Sequence, residues 1–146
     1  MKSGISLNEE EKLLIKNAIK EAELNTSGEI RVHIESVIKG DVLDRAAYIF
    51  KILGMHKTRE RNGVLFYLAE KSRKFAIIGD AGINAKVPVD FWNNIKDNMA
   101  LHFSEGKFAN GLAEGIRMAG EQLKVHFSHK KDDVNELPDE ISFGKY

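Results

Sequence analysis

"VLFYLAEKSRKFAIIGDAGIN", residues 64–84, decides how this chain is read. Val64 to Ala69 and Phe75 to Ile78 are short apolar runs, each bounded by turn-forming residues. The intervening "EKSRK" suits a hairpin, so the two runs are expected to pair as antiparallel strands. Both are apolar on both faces, which calls for helices on either side of the sheet. The second run then stops abruptly at Gly79-Asp80-Ala81-Gly82, a carboxylate held between two glycines.

Upstream, Ile30, Val32 and Ile34 alternate with Arg31, His33 and Glu35, the pattern of a strand with one buried face. Gly40-Asp41 then opens a helix with an apolar stripe of Leu43, Ala46, Ala47, Phe50 and Leu53, and Gly54 suits its C′ position. Strand, helix, strand favours parallel pairing through a right-handed crossover. Further upstream, Ser6-Leu7-Asn8-Glu9 has capping-box spacing ahead of Leu14, Ile15, Ala18, Ile19 and Ala22, and Thr26-Ser27-Gly28 ends that helix.

Downstream, Pro88 suits the start of a helix with Trp92, Ile95 and Met99 on its inner face. Phe108, Leu112, Ile116, Ala119, Leu123 and Phe127 mark a last helix that contains Gly111, Gly115 and Gly120. Each glycine lowers helix stability by roughly 1 kcal/mol relative to alanine, which points to close packing against a neighbour. After Phe127 the periodicity stops. Residues 1–127 read as one domain and residues 128–146 as a polar tail, draped or disordered. The expected class is α/β, a three-layer α/β/α sandwich with a small mixed β-sheet.

The chain has 146 residues, 22 Lys plus Arg against 22 Asp plus Glu, and no cysteine. Zero net charge argues against nucleic acid as a general partner, and Trp92 falls on a core stripe rather than on a stacking platform. The absence of cysteine excludes disulfides and thiolate metal sites. No segment has the length of a membrane span or a signal peptide, so a cytoplasmic protein is expected.

Ligands in open α/β sheets sit beyond the carboxyl ends of strands, and "GDAGIN" lies at such an end. Its glycines permit close backbone approach. Asp80 and Asn84 offer hard oxygen, with Asp44, Asn62 and Glu60 as further candidates for a Ca²⁺ or Mg²⁺ site. The competing reading is that Asp80 only caps a turn, and residue types alone favour it. Glu29 is set aside as lying near the wrong strand end. Arg45, Arg59 and Arg61, with Lys57, could form a phosphate-binding group or simply a solvated loop, with Arg45 in a structural ion pair. No G-x-S-x-G elbow, P-loop or complete G-x-G-x-x-G is present, and no catalytic residue can be named. His33, His56 and His102 read as structural, and His126 with His129 is a weak metal pair.

"NTSGEIRVHIE" (25–35), "DRAAYIFKILGM" (44–55), "RNGVLFYLA" (61–69), "FAIIGDAGI" (75–83) and "FANGLAEGI" (108–116) carry a further signal in their order and spacing. Together they resemble the TPM domain family, α/β/α domains of photosystem II repair factors and many bacterial proteins. The ending "NELPDEIS" is similar to that of a bacterial, stand-alone branch. The resemblance implies divalent-metal binding in some members and acid phosphatase activity in plant relatives. It tips the balance at Asp80 from cap to metal ligand. The expectation is therefore a monomeric domain that binds Ca²⁺ or Mg²⁺ at strand-end loops, in a regulatory or protein-partner role. The alternative is a metal-assisted acid phosphatase acting on phosphomonoesters.

Overall fold

The amphipathic repeat behind Leu7 forms α1 (Glu9–Glu23), with Ile15, Ala18, Ile19 and Ala22 buried. A computed structural model of the chain describes residues 7–128 and 141–144. The helix cap lies two residues beyond the Ser6-based box expected from sequence. Asn8 Oδ1 accepts from the Glu11 amide at 2.8 Å, and the Glu11 carboxylate accepts from the Asn8 amide at 3.0 Å. Both spacings spell the motif. Starting at Glu9 places three glutamates in the first turn, where the helix dipole favours them.

β1 (Glu29–Glu35) pairs in parallel with β2 (Gly63–Ala69), and β2 pairs antiparallel with β3 (Lys74–Gly79). Between β1 and β2 runs α2 (Val42–Ile52), capped by Asp41 and ended by Gly54 in the left-handed region at φ 72°. The buried stripe of α2 is Ala46, Ile49 and Phe50, while Leu43 and Ala47 are exposed. Beyond β3 come a one-turn α3 (Ala81–Asn84), then α4 (Phe91–Ser104) and α5 (Phe108–His126). The four-residue α3 is too short for periodicity to reveal, and sequence reading missed it.

Val64, Phe66 and Leu68 of β2 face a large core shared with α1, α4 and α5, whereas Leu65, Tyr67 and Ala69 face a smaller one under α2. The result is the expected α/β/α sandwich with a mixed sheet, ordered β3-β2-β1-β4. The fourth strand, β4 (Ser142–Phe143), pairs in parallel with β1 and was not read from the sequence. It lies in the segment expected to be a tail. Residues 129–140 of that segment, including His129, lie outside the described residues, as does Ser6.

The glycines of α5 mark close helix contacts. A Cβ on Gly120 would stand 2.6 Å from Ala22 Cβ and 2.9 Å from Ala22 Cα on α1. Gly120→Ala would gain up to ~1 kcal/mol of helix propensity. Overpacking costs about 1–3 kcal/mol, and much of the obstacle here is backbone that cannot rotate away. The packing term should win, so denaturant unfolding of Gly120→Ala is expected to show a net loss of about 1–2 kcal/mol. A gain in stability would show that α1 and α5 are not in tight contact at this point.

Candidate functional site

β3 runs against β1 and β2, so its carboxyl end meets their amino ends: Gly79 pairs with Val64, which pairs with Ile30. The carboxylate between glycines therefore sits at the amino end of the parallel pair. Asp80 is 7% exposed. Its side chain accepts from the Ala81 amide at 2.7 Å, capping α3. It also receives a two-pronged contact from Arg61, Nε to Oδ2 at 2.7 Å and Nη2 to Oδ1 at 2.8 Å. Gly82 is small because the loop before β2 crosses it: a Cβ there would lie 2.0 Å from the Glu60 carbonyl oxygen. The Arg61 carbonyl in turn accepts from the Gly82 and Ile83 amides at 2.8 and 3.3 Å.

That crossing brings Glu60, Arg61 and Asn62 to the same end as Asp80. Asn62 is 1% exposed, and its Nδ2 donates to Ser27 Oγ at 3.2 Å. The Ser27 hydroxyl donates to the Glu60 carboxylate. Asn62 Oδ1 is buried with no hydrogen-bond partner among the described residues. Glu29, set aside on sequence grounds, starts β1 at this same end, is 3% exposed, and donates its amide to the Asn62 carbonyl. Asn84 uses both ends of its amide: Nδ2 donates to the Gly79 carbonyl at 2.7 Å, and Oδ1 accepts from Trp92 Nε1 at 2.8 Å.

Two candidates are not brought here. Asp44 and Arg45 start α2, beyond the carboxyl end of β1. They are separated from Asp80 by the length of the strands, roughly 20 Å for seven residues. Arg45 and Arg61 each grip a carboxylate at opposite ends of the sheet, so Arg45, Arg59 and Arg61 do not converge on one phosphate. Among the described residues, no group of three or more His, Asp or Glu side chains is arranged to hold a metal ion.

At the carboxyl end stands a constellation that sequence reading missed. Glu35, 2% exposed, receives Arg45 Nε at 3.0 Å and Nη2 at 2.6 Å, together with the Tyr67 hydroxyl. His33, fully buried, places Nε2 3.4 Å from Glu35 and Nδ1 2.9 Å from the Ser142 hydroxyl on β4. A neutral imidazole meets both contacts, donating to Glu35 and accepting from Ser142. Arg45 does form a structural ion pair, with Glu35 rather than its neighbour Asp44. The available signal was topological: a strand flanked by β2 and β4 lies inside the sheet, and β1 buries His33 and Glu35 on its polar face.

Burial pushes the Glu35 carboxyl up, but hydrogen bonds from Arg45 and Tyr67 and the Arg45 charge outweigh it, and the net shift is downward. Burial dominates at His33 and lowers its pKa despite the Glu35 carboxylate. Burial, then the Glu35 contact, raises the Tyr67 phenol well above its usual range. With each partner satisfied, the cluster is built to hold α2, β1, β2 and β4 together.

These shifts fix a sign. Below pH 6.5 the unfolded chain takes up a proton that folded His33 resists, so stability falls as pH drops toward the lowered folded value. The Glu35 contribution is present above 4.5 and is lost on further acidification toward its own lowered value. His33→Gln should flatten the decline in denaturation midpoint from about pH 6.5 downward. An unchanged slope would assign the decline to other groups.

The family model described as "TPM domain" matches residues 4–122. No curated protein matches the chain. The NMR structure of BA42 protein from the psychrophilic bacterium Bizionia argentinensis is 47% identical, with a TM-score of 0.89 over 98% of this chain and 99% of that one. The N-terminal domain of a P. gingivalis protein is 20% identical, with a TM-score of 0.67 over 85% of this chain and 82% of that one. The N-terminal domain of cg2496 from Corynebacterium glutamicum is 15% identical, with a TM-score of 0.65 over 81% and 74%. The last two share the fold.

Proposed function

The chain belongs to the TPM domain family, and from that premise we propose that it binds a hard divalent cation, Ca²⁺ or Mg²⁺, at the amino end of its parallel strands, in a regulatory or interaction role. The observation that carries the reading is Asn62 Oδ1, an amide oxygen buried without a hydrogen-bond partner among the described residues. An orphaned buried acceptor is costly, and a cation would satisfy it. Glu60, linked to Asn62 through Ser27, and Asp80 across the crossing at Gly82 supply carboxylate oxygen of the kind such ions take. Asn84 stands at the rim with its oxygen already engaged by Trp92.

Asp80 would serve in competition with Arg61. Its carboxylate has about four acceptor positions, and two are taken by the guanidinium and one by the Ala81 amide. Arg61 is exposed enough to leave, with 52% of its side chain accessible. Arg61→Gln is therefore expected to strengthen cation binding, while Asn62→Ala and Asp80→Ala weaken it.

Titration with Ca²⁺ and Mg²⁺, followed by backbone amide NMR shifts, tests this. Shifts should centre on residues 60–62 and 80–82, and the affinity they report should fall roughly tenfold or more in Asn62→Ala, the scale of loss when even a supporting group of a metal site is removed. Shifts scattered over surface carboxylates and indifferent to both substitutions would sink the proposal. The backbone spectrum of each variant also reports whether the fold is kept.

A further inference from the structure

The β2–β3 hairpin does more than reverse the chain. Its turn places Arg73 in the left-handed region, φ 53°, with the Arg73 amide donating to the Glu70 carbonyl at 3.2 Å. Beside this turn, at the carboxyl end of β2, opens a cavity of about 340 Å³. Leu68 forms its buried floor. Its wall is aromatic: Phe75 and Phe103 meet edge to face with ring centres 4.9 Å apart, and Phe108 lies 5.3 Å from Phe103. All three rings are only half-buried. Arg73, exposed at the rim, is the cationic side chain of the lining.

We propose that this cavity binds a small apolar monocarboxylic acid, its aryl or alkyl body against Phe75, Phe103 and Phe108 and its carboxylate on the Arg73 guanidinium. The volume lies at the lower end of the range for small-molecule sites, which are mostly apolar with a few placed polar groups. The position beyond the carboxyl end of a parallel strand is where open α/β sheets bind ligands. Among the described residues the Arg73 side chain has no hydrogen-bond or ion-pair partner. Of the acids on the two adjoining turns, Glu105 on the α4–α5 turn is paired with Lys107 at 3.5 Å, and Glu70 on the hairpin turn has an interaction of its own. A guanidinium free to present a fork to a carboxylate gives the site its charge preference. Three adjacent half-exposed rings around a concavity give it its apolar one.

The site lies at the opposite end of β2 from the proposed cation site and does not rest on it. Titration of the whole chain with 4-phenylbutyrate and its uncharged twin 4-phenylbutanol, read by amide and methyl NMR, is the test. The acid should shift residues 73–75 and 103–108, and the alcohol should bind there roughly tenfold more weakly. Arg73→Gln should bring the acid down to the affinity of the alcohol and leave the alcohol unchanged. Ala100→Leu, which narrows the rim, should weaken both. Equal affinity for acid and alcohol, or indifference to Arg73→Gln, would overturn the proposal. So would an absence of shifts at low millimolar ligand, or shifts centred elsewhere.

Discussion

Arg45→Met is expected to destabilise the protein by about 3–5 kcal/mol, the usual penalty for orphaning a buried charge. Its partner Glu35 is 2% exposed and would lose both guanidinium contacts, keeping Tyr67 and the longer contact to His33. Methionine preserves much of the packing of the arginine stem, so the loss reports charge and hydrogen bonding rather than a cavity. The double variant Glu35→Leu/Arg45→Met should recover part of the loss, because neither charge then needs solvation. Urea unfolding at neutral pH measures both. The Arg45→Met deficit should also shrink in acid, where protonation relieves the stranded carboxyl. A loss below about 1 kcal/mol would place the pair among ordinary surface ion pairs and remove the cluster's assigned role of tying α2 to the sheet.

Gly82→Ala should be the second large effect, about 3 kcal/mol, at the upper end of overpacking losses. The methyl group would stand 2.0 Å from the Glu60 carbonyl oxygen and 2.6 Å from that of Arg61, both backbone atoms. No rotamer change relieves such a contact. The loop must move, which strains the Gly82 and Ile83 amide bonds to Arg61 and the Arg61–Asp80 fork together. Gly79→Ala is a useful contrast, since its nearest obstacle, at 2.5 Å, is the Trp92 ring. A side chain can shift, so Gly79→Ala should lose less. Thermal unfolding of the two variants orders them, and a Gly82→Ala protein as stable as its parent would refute the close crossing.

Asp80, held between Gly79 and Gly82, has a local role and a longer-range one. Locally, Asp80 caps a helical turn, the reading that residue type favoured. At longer range it clamps Arg61, a contact that depends on two loops passing close enough for only glycine to fit between them. The direction of β3 was legible, because a hairpin must reverse the chain. Its consequence, that Asp80 exits at the amino end of β1 and β2, follows from the same premise and separates it from Asp44. Glu29 lies at the Asp80 end for that reason as well.

The types of the longer elements, the hairpin, the parallel crossover and the glycine-marked helix contacts followed from the sequence alone. Each rests on periodicity or local turn chemistry, which act over a few residues and leave a readable pattern. The partners of the polar side chains did not follow. Glu35 meets Arg45, Tyr67 and His33, and His33 meets Ser142 across 109 positions, so these contacts exist only once the sheet order has been set. The fourth strand belongs to the same class, because two residues have no period and pair only when an edge of β1 is there to receive them. Local pattern determines which segments are strands and helices; chain reversal and layer packing decide which charges face one another, because Coulomb and hydrogen-bond energies depend on distance in space and not along the chain.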